Sequence, residues 1–152
     1  MMPTSRWSAA FLCLALAACG STGPSPLDQL ALAEGRWERS GPEQYEFELR
    51  VVCFCPAEYA EWHRVRVADG AITALVNVET QAPVPSERWD EWSTVDQLFD
   101  RIRQFVESDV FGRLEANFHP VLGYPVSANL VARAGIADAG ILFEVRAFVA
   151  TE

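Results

Sequence analysis

Cys53 and Cys55 stand one residue apart at the end of an apolar stripe, in Tyr45-Glu46-Phe47-Glu48-Leu49-Arg50-Val51-Val52-Cys53-Phe54-Cys55-Pro56. Thiols at this spacing can close a disulfide, cycle as a redox dithiol, or ligate a soft metal such as copper(I) or zinc. In an extended strand, positions i and i+2 lie ~6.6 Å apart, near the upper limit for bridged Cα atoms. Their Cβ atoms would stand further apart than the ~4 Å a bridge needs. A bridge therefore requires the strand to kink or stop there, and Pro56 is placed to stop it. His63 is the candidate thiol neighbour. If the strands on either side of 56–61 pair, their core faces match only when paired residue numbers sum to an even value, for instance Cys55 with His63. Three readings stand open: a structural bridge or two plain buried cysteines; a redox dithiol whose pKa His63 lowers; and a metal site from Cys53, Cys55 and His63, with His119 as a fourth ligand.

Other chemistry is sparse. There is no Gly-rich phosphate loop, no Gly-x-Ser-x-Gly and no His-Glu-x-x-His. No pair of carboxylates sits in a defined apolar context, so no catalytic residue is assigned and no metal site beyond the weak one above. Neither Cys-x-x-Cys nor a zinc-ribbon spacing occurs. The formal net charge is −9, with arginine as the sole basic side chain. An acidic domain without a basic stripe repels phosphate backbones, which argues against nucleic-acid binding. Trp89 and Trp92, in a Pro-containing connection, could form an exposed aromatic contact surface. The alternative is that they fold back as a lid on the core.

The other two cysteines, Cys13 and Cys19, belong to an address. Arg6 precedes an apolar run, Ala9 to Ala18, of about ten residues, half the ~20 that a membrane span needs. The run closes on Leu16-Ala17-Ala18-Cys19, then Gly20 and Ser21. This resembles the lipobox of bacterial lipoproteins. The resemblance implies export, removal of residues 1–18 (with Cys13), and covalent acyl chains of the palmitate type on Cys19, with no other cofactor. It also implies a bacterial cell-envelope location through a lipid anchor in the membrane. Gly20 in place of an aspartate points to the outer membrane, facing the periplasm, in a host with two membranes. Residues 19–26 read as a flexible Gly/Ser/Pro tether and residues 27–152 as one domain.

The elements that must position the cysteines follow from pattern. Ser25-Pro26-Leu27-Asp28 starts a helix that runs to about Arg39 with Leu30, Ala33 and Trp37 on its buried side. A strand from Tyr45 follows. Asp69-Gly70 between alternating runs marks a hairpin of strands 62–68 and 71–78. A two-residue turn sets Val67 against Ile72, Val65 against Ala74 and His63 against Val76, with Trp62, Arg64 and Arg66 on the opposite face. Thr94-Val95-Asp96-Gln97 is a capping box opening a helix, with Val95, Leu98, Phe99, Ile102, Phe105 and Val106 in one stripe. Strands over about 113–119, 126–133 and 141–149 complete the chain, the last alternating as Ile141/Phe143/Val145/Ala147/Val149. The order α-β-β-β-α-β-β-β predicts an α+β two-layer domain with two helices on an antiparallel sheet of about six strands.

The mature chain resembles the bacterial domain-of-unknown-function family 6174. The marks are Trp37 and Tyr45, Cys53-Phe54-Cys55, Val65-Arg66-Val67-Ala68-Asp69-Gly70, Thr94-Val95-Asp96-Gln97-Leu98-Phe99, and Gly123-Tyr124-Pro125. The resemblance implies a secreted domain and supplies no mechanism. The functional expectation is a lipid-anchored envelope protein acting as a non-enzymatic binding or structural module. The rival is a thiol-redox or soft-metal-handling lipoprotein using Cys53 and Cys55 with His63. No motif identifies a protein partner.

Overall fold

The computed structural model describes residues 23–151; the expected signal segment and Cys19 lie outside the described residues. Helix α1 covers Pro26–Ser40 and α2 covers Val95–Val106. The strands are β1 Gln44–Val52, β2 His63–Ala68, β3 Ala71–Asn77, β4 Phe111–Phe118, β5 Pro125–Ala132 and β6 Ile141–Ala150. Both helices start on reciprocal capping boxes. The Ser25 hydroxyl accepts from the Asp28 N–H at 3.1 Å, and Thr94 Oγ1 accepts from the Gln97 N–H at 3.3 Å while Gln97 Oε1 accepts from the Thr94 N–H at 2.8 Å. The folded unit thus takes in Ser25 and Pro26, the last residues of the expected tether.

The domain is α+β, with one six-stranded sheet ordered β3-β2-β1-β6-β5-β4. Every neighbouring pair is antiparallel. Two three-stranded meanders are therefore welded through β1 and β6 at the centre. Both helices cover the same face. Leu30, Ala33 and Trp37 from α1 and Val95, Leu98, Phe99, Ile102 and Phe105 from α2 are buried against Tyr45, Phe47, Leu49, Val51, Val65, Val67, Leu130 and Phe143. Residues alternate in a strand, so the same pattern sends Glu46, Glu48, Arg50, Arg64 and Arg66 to the other, helix-free face. Among the described residues no helix is long and apolar enough to cross a membrane.

Two bulges correct the expected registers. Arg66 pairs with Ala74 but Val67 pairs with Ile72, leaving Thr73 as an extra residue. Beyond it Val65 faces Leu75, not Ala74, and His63 faces Asn77, not Val76. The shift puts Leu75 into the core, 1% exposed, where the unshifted hairpin would have put an alanine. In β6 the register slips between Arg146 and Val149, with Ala147 at φ 51°. Ala147 and Val149 face solvent as a result, and Phe148 takes the core side instead, stacked on Tyr45 at 5.4 Å and Tyr124 at 4.4 Å. Burying a phenylalanine in place of an alanine is the favourable parity.

Candidate functional site

β1 ends at Val52, and the chain bends through Cys53–Cys55 before a single 3-10 turn, Ala57–Ala60. Cys53 and Cys55 are joined as a disulfide, with Cα atoms 5.2 Å apart. That is shorter than the ~6.6 Å of an extended i, i+2 pair, so the kink required for bridging is present. Cys53 packs against the core, whereas Phe54 between the two sulfurs is 83% exposed.

The bridge lines an open cavity of about 330 Å³ together with Val51, Pro56, Tyr59, Glu91 and Arg101. One rim is an ion network. Tyr59 donates its hydroxyl to Glu91, while Arg88 reaches Glu91 at 2.8 Å and Glu58 at 2.7 Å. Arg88, then Tyr59, hold the Glu91 carboxyl below the usual carboxylate range, and the same bond to Glu91 pushes the Tyr59 phenol up. Across the cavity, Arg101 on α2 makes no ion pair among the described residues. It also borders a second hollow of about 380 Å³ lined by Phe105, Leu130, Ile141 and Phe143.

His63 is elsewhere. It is buried on the core face, but opposite Leu49 and not Cys55. That is four residues back from Cys53, or about 13 Å along an extended strand. The parity held; the pairing did not, because the bend and the 3-10 turn lengthen the connection. The imidazole lies on Trp92, ring centres 4.1 Å apart, and its Nδ1 donates to the Glu61 carbonyl at 3.1 Å. Burial, the largest influence, lowers its pKa below the ordinary 6.5. His119 stands at the far end of the sheet, stacked on Tyr124, with its Nδ1 accepting from the Leu122 N–H at 3.0 Å. Cys53, Cys55, His63 and His119 are not brought together, and among the described residues no group of three or more His, Cys, Asp or Glu side chains could hold a metal ion.

Of the two readings open for Trp89 and Trp92, the lid is the one present. Trp92 is 3% exposed, and Trp89 is half-buried with its Nε1 donating to the Val84 carbonyl at 2.9 Å. They form no exposed patch. Tyr59, Trp92 and His63 pack ring against tilted ring instead, closing the end of the core as a lid. An indole body buries more apolar area there than a solvent-facing position would cover.

A second cluster lies on the helix-free face. Trp62 sits between Arg50 and Arg146, whose guanidinium carbons are 4.8 and 4.0 Å from its ring centre. Each arginine is also paired, Arg50 with Glu144 at 2.5 Å and Arg146 with Glu48 at 2.7 Å. Alternation assigned Trp62 and Arg64 to this face. Arg146 could join them only through the β1–β6 pairing, which no local pattern encodes.

Residues 29–150 match the model of a family of unknown function (DUF6174), and the chain belongs to that family. No curated protein and no solved structure matches it.

Proposed function

We propose that this DUF6174 domain is a lipid-anchored component of the bacterial cell envelope, acting as a non-enzymatic binding or structural module. The observation that carries the reading is Leu16-Ala17-Ala18-Cys19 closing a ten-residue apolar run, with Cys19 seven residues before the first helical residue, Pro26. One acyl chain holds a protein marginally, at ~0.8 kcal/mol per buried CH₂, whereas the two or three of a lipoprotein hold it stably. The Cys53–Cys55 bridge supports the same compartment, because disulfides persist in oxidising envelopes. Gly20 after the acylated cysteine favours the outer membrane, facing the periplasm, over retention at the inner one. The test is Cys19→Ser in the native host, with membrane flotation and intact mass. Release of the protein and loss of acyl mass are expected; undiminished flotation of an unacylated chain overturns lipidation as the attachment.

A second reading, thiol redox, draws on one feature of the site. The bridge opens onto a cavity that Arg101 also borders, and a neighbouring cation favours thiolate. Alkylation after mild reductant separates the two: a bridge that resists reduction counts against redox work, and full, rapid labelling of both thiols counts for it.

A further inference from the structure

Among the described residues, Phe54 is the most exposed of the large apolar side chains. It is held at the apex of a tip braced by the Cys53–Cys55 bridge and Pro56, so little conformational freedom remains to be lost on burial. Val52, 42% exposed, ends the strand just before it on the helix-free face, which also carries Trp62 with Arg50 and Arg146.

The position of this tip relative to the tether follows from the packing of the helices. Trp37, late in α1, donates its Nε1 to Asp96 in the first turn of α2 at 3.0 Å, while the earlier Glu34 pairs with Arg103 in the last turn. The two helices are therefore antiparallel. The start of α2 meets the start of β1, where the Val95 N–H donates to the Tyr45 hydroxyl at 3.1 Å. Later in α2, Arg101 shares a cavity with Val51, Cys53 and Cys55, at the end of β1. So α1 runs opposite to β1, and its first turn is the part of it nearer the end where β1 finishes. Seven peptide units separate Cys19 from Pro26, a reach of at most about 25 Å. A domain of this size has a radius of gyration of about 14 Å, so a lipid on Cys19 holds the disulfide end toward the bilayer.

We propose that Phe54 is a membrane-seated side chain: the bridged tip enters the headgroup–acyl boundary of the bilayer to which Cys19 is attached. This inference rests on the lipid-anchored reading and adds an orientation to it. Aromatic side chains favour that boundary, and the amphipathic indole of Trp62 is suited to the headgroup level just above it. Of the carboxylates at this end, Glu58 and Glu91 are engaged by Arg88, which reduces their repulsion from lipid phosphate.

The test uses the full lipidated chain in phosphatidylethanolamine–phosphatidylcholine vesicles, with Phe54→Trp as a reporter at the tip. Val121→Trp is the control: Val121 is 69% exposed in the loop joining β4 and β5, at the opposite end of the domain. Relative to the unsubstituted protein, the extra emission from position 54 should be lost with brominated acyl chains and protected from aqueous iodide. The extra emission from position 121 should show the reverse. Iodide quenching of position 54 equal to that of position 121, with no bromine effect, overturns the inference while flotation still upholds the anchor. Flotation of Cys19→Ser with position 54 still quenched by bromine upholds the tip and overturns the anchor. A lipidated chain that does not float overturns both.

Discussion

Gly123→Ala and Gly70→Ala form a matched pair that tests how the β4–β5 loop is held against α1. Both glycines have positive φ, +87° and +74°, so alanine at either position carries backbone strain of about 1 kcal/mol. Their surroundings differ. A Cβ on Gly70 meets nothing within 4 Å, whereas one on Gly123 would lie 2.1 Å from the Ala33 carbonyl oxygen and 2.9 Å from the Arg36 Cβ. Neither obstacle is the flexible end of a side chain, so the loop must retreat by more than an ångström. Retreat strains the bonds from the Gly123 N–H to the His119 carbonyl and from the His119 N–H to the Tyr124 carbonyl, both 2.8 Å. It also pulls Tyr124 off Phe148 and Trp37. A bond or two at ~1 kcal/mol and two aromatic pairs at ~0.5–1.5 kcal/mol each give about a further 2–5 kcal/mol. Gly123→Ala should thus cost about 3–6 kcal/mol and Gly70→Ala about 1. Urea unfolding, with a slope of about 1.5–2 kcal/mol/M, should separate the two midpoints by about 1–3 M. Midpoints within about 0.3 M of each other refute the steric argument, since strain alone would then account for both.

Two further outcomes follow from the site. His63 has a folded pKa lowered chiefly by burial, so the unfolded chain binds its proton first as pH falls. The stability it supports is complete above the ordinary pKa of 6.5 and declines as pH drops from there toward the lowered folded value; below both it levels off. Denaturation midpoints of wild type and His63→Gln across pH 4.5–7.5 should differ in slope within that window, and parallel profiles would count against a buried neutral imidazole. For the bridge, closing a three-residue loop is worth only about 1.6 kcal/mol of chain entropy. Reduction should leave the domain folded with a Tm lower by about 5 °C, read by circular dichroism; collapse of the cooperative transition on reduction would show that the tip is needed for folding.

The features legible in the sequence are those set by neighbours along the chain. The capping boxes at Ser25 and Thr94, the apolar stripe of α2 and the alternation of β1 each depend on residues within one or two turns, and each is present in the fold. The kink at Cys53–Cys55 belongs with them, because the distance between residues i and i+2 is a local quantity that bridging must shorten. The element order and the family membership were equally within reach. Pairings across the sheet were not. Whether Ala74 or Leu75 faces Val65, and whether Ala147 or Phe148 turns inward, is settled by a bulge, where one extra residue reverses every side chain beyond it. That choice is made by which side chain gains more from burial against helices distant in sequence. The same long-range decision set His63 beside Trp92 and not beside the thiols, turned Trp92 and half of Trp89 onto the core, and set Arg146 beside Trp62.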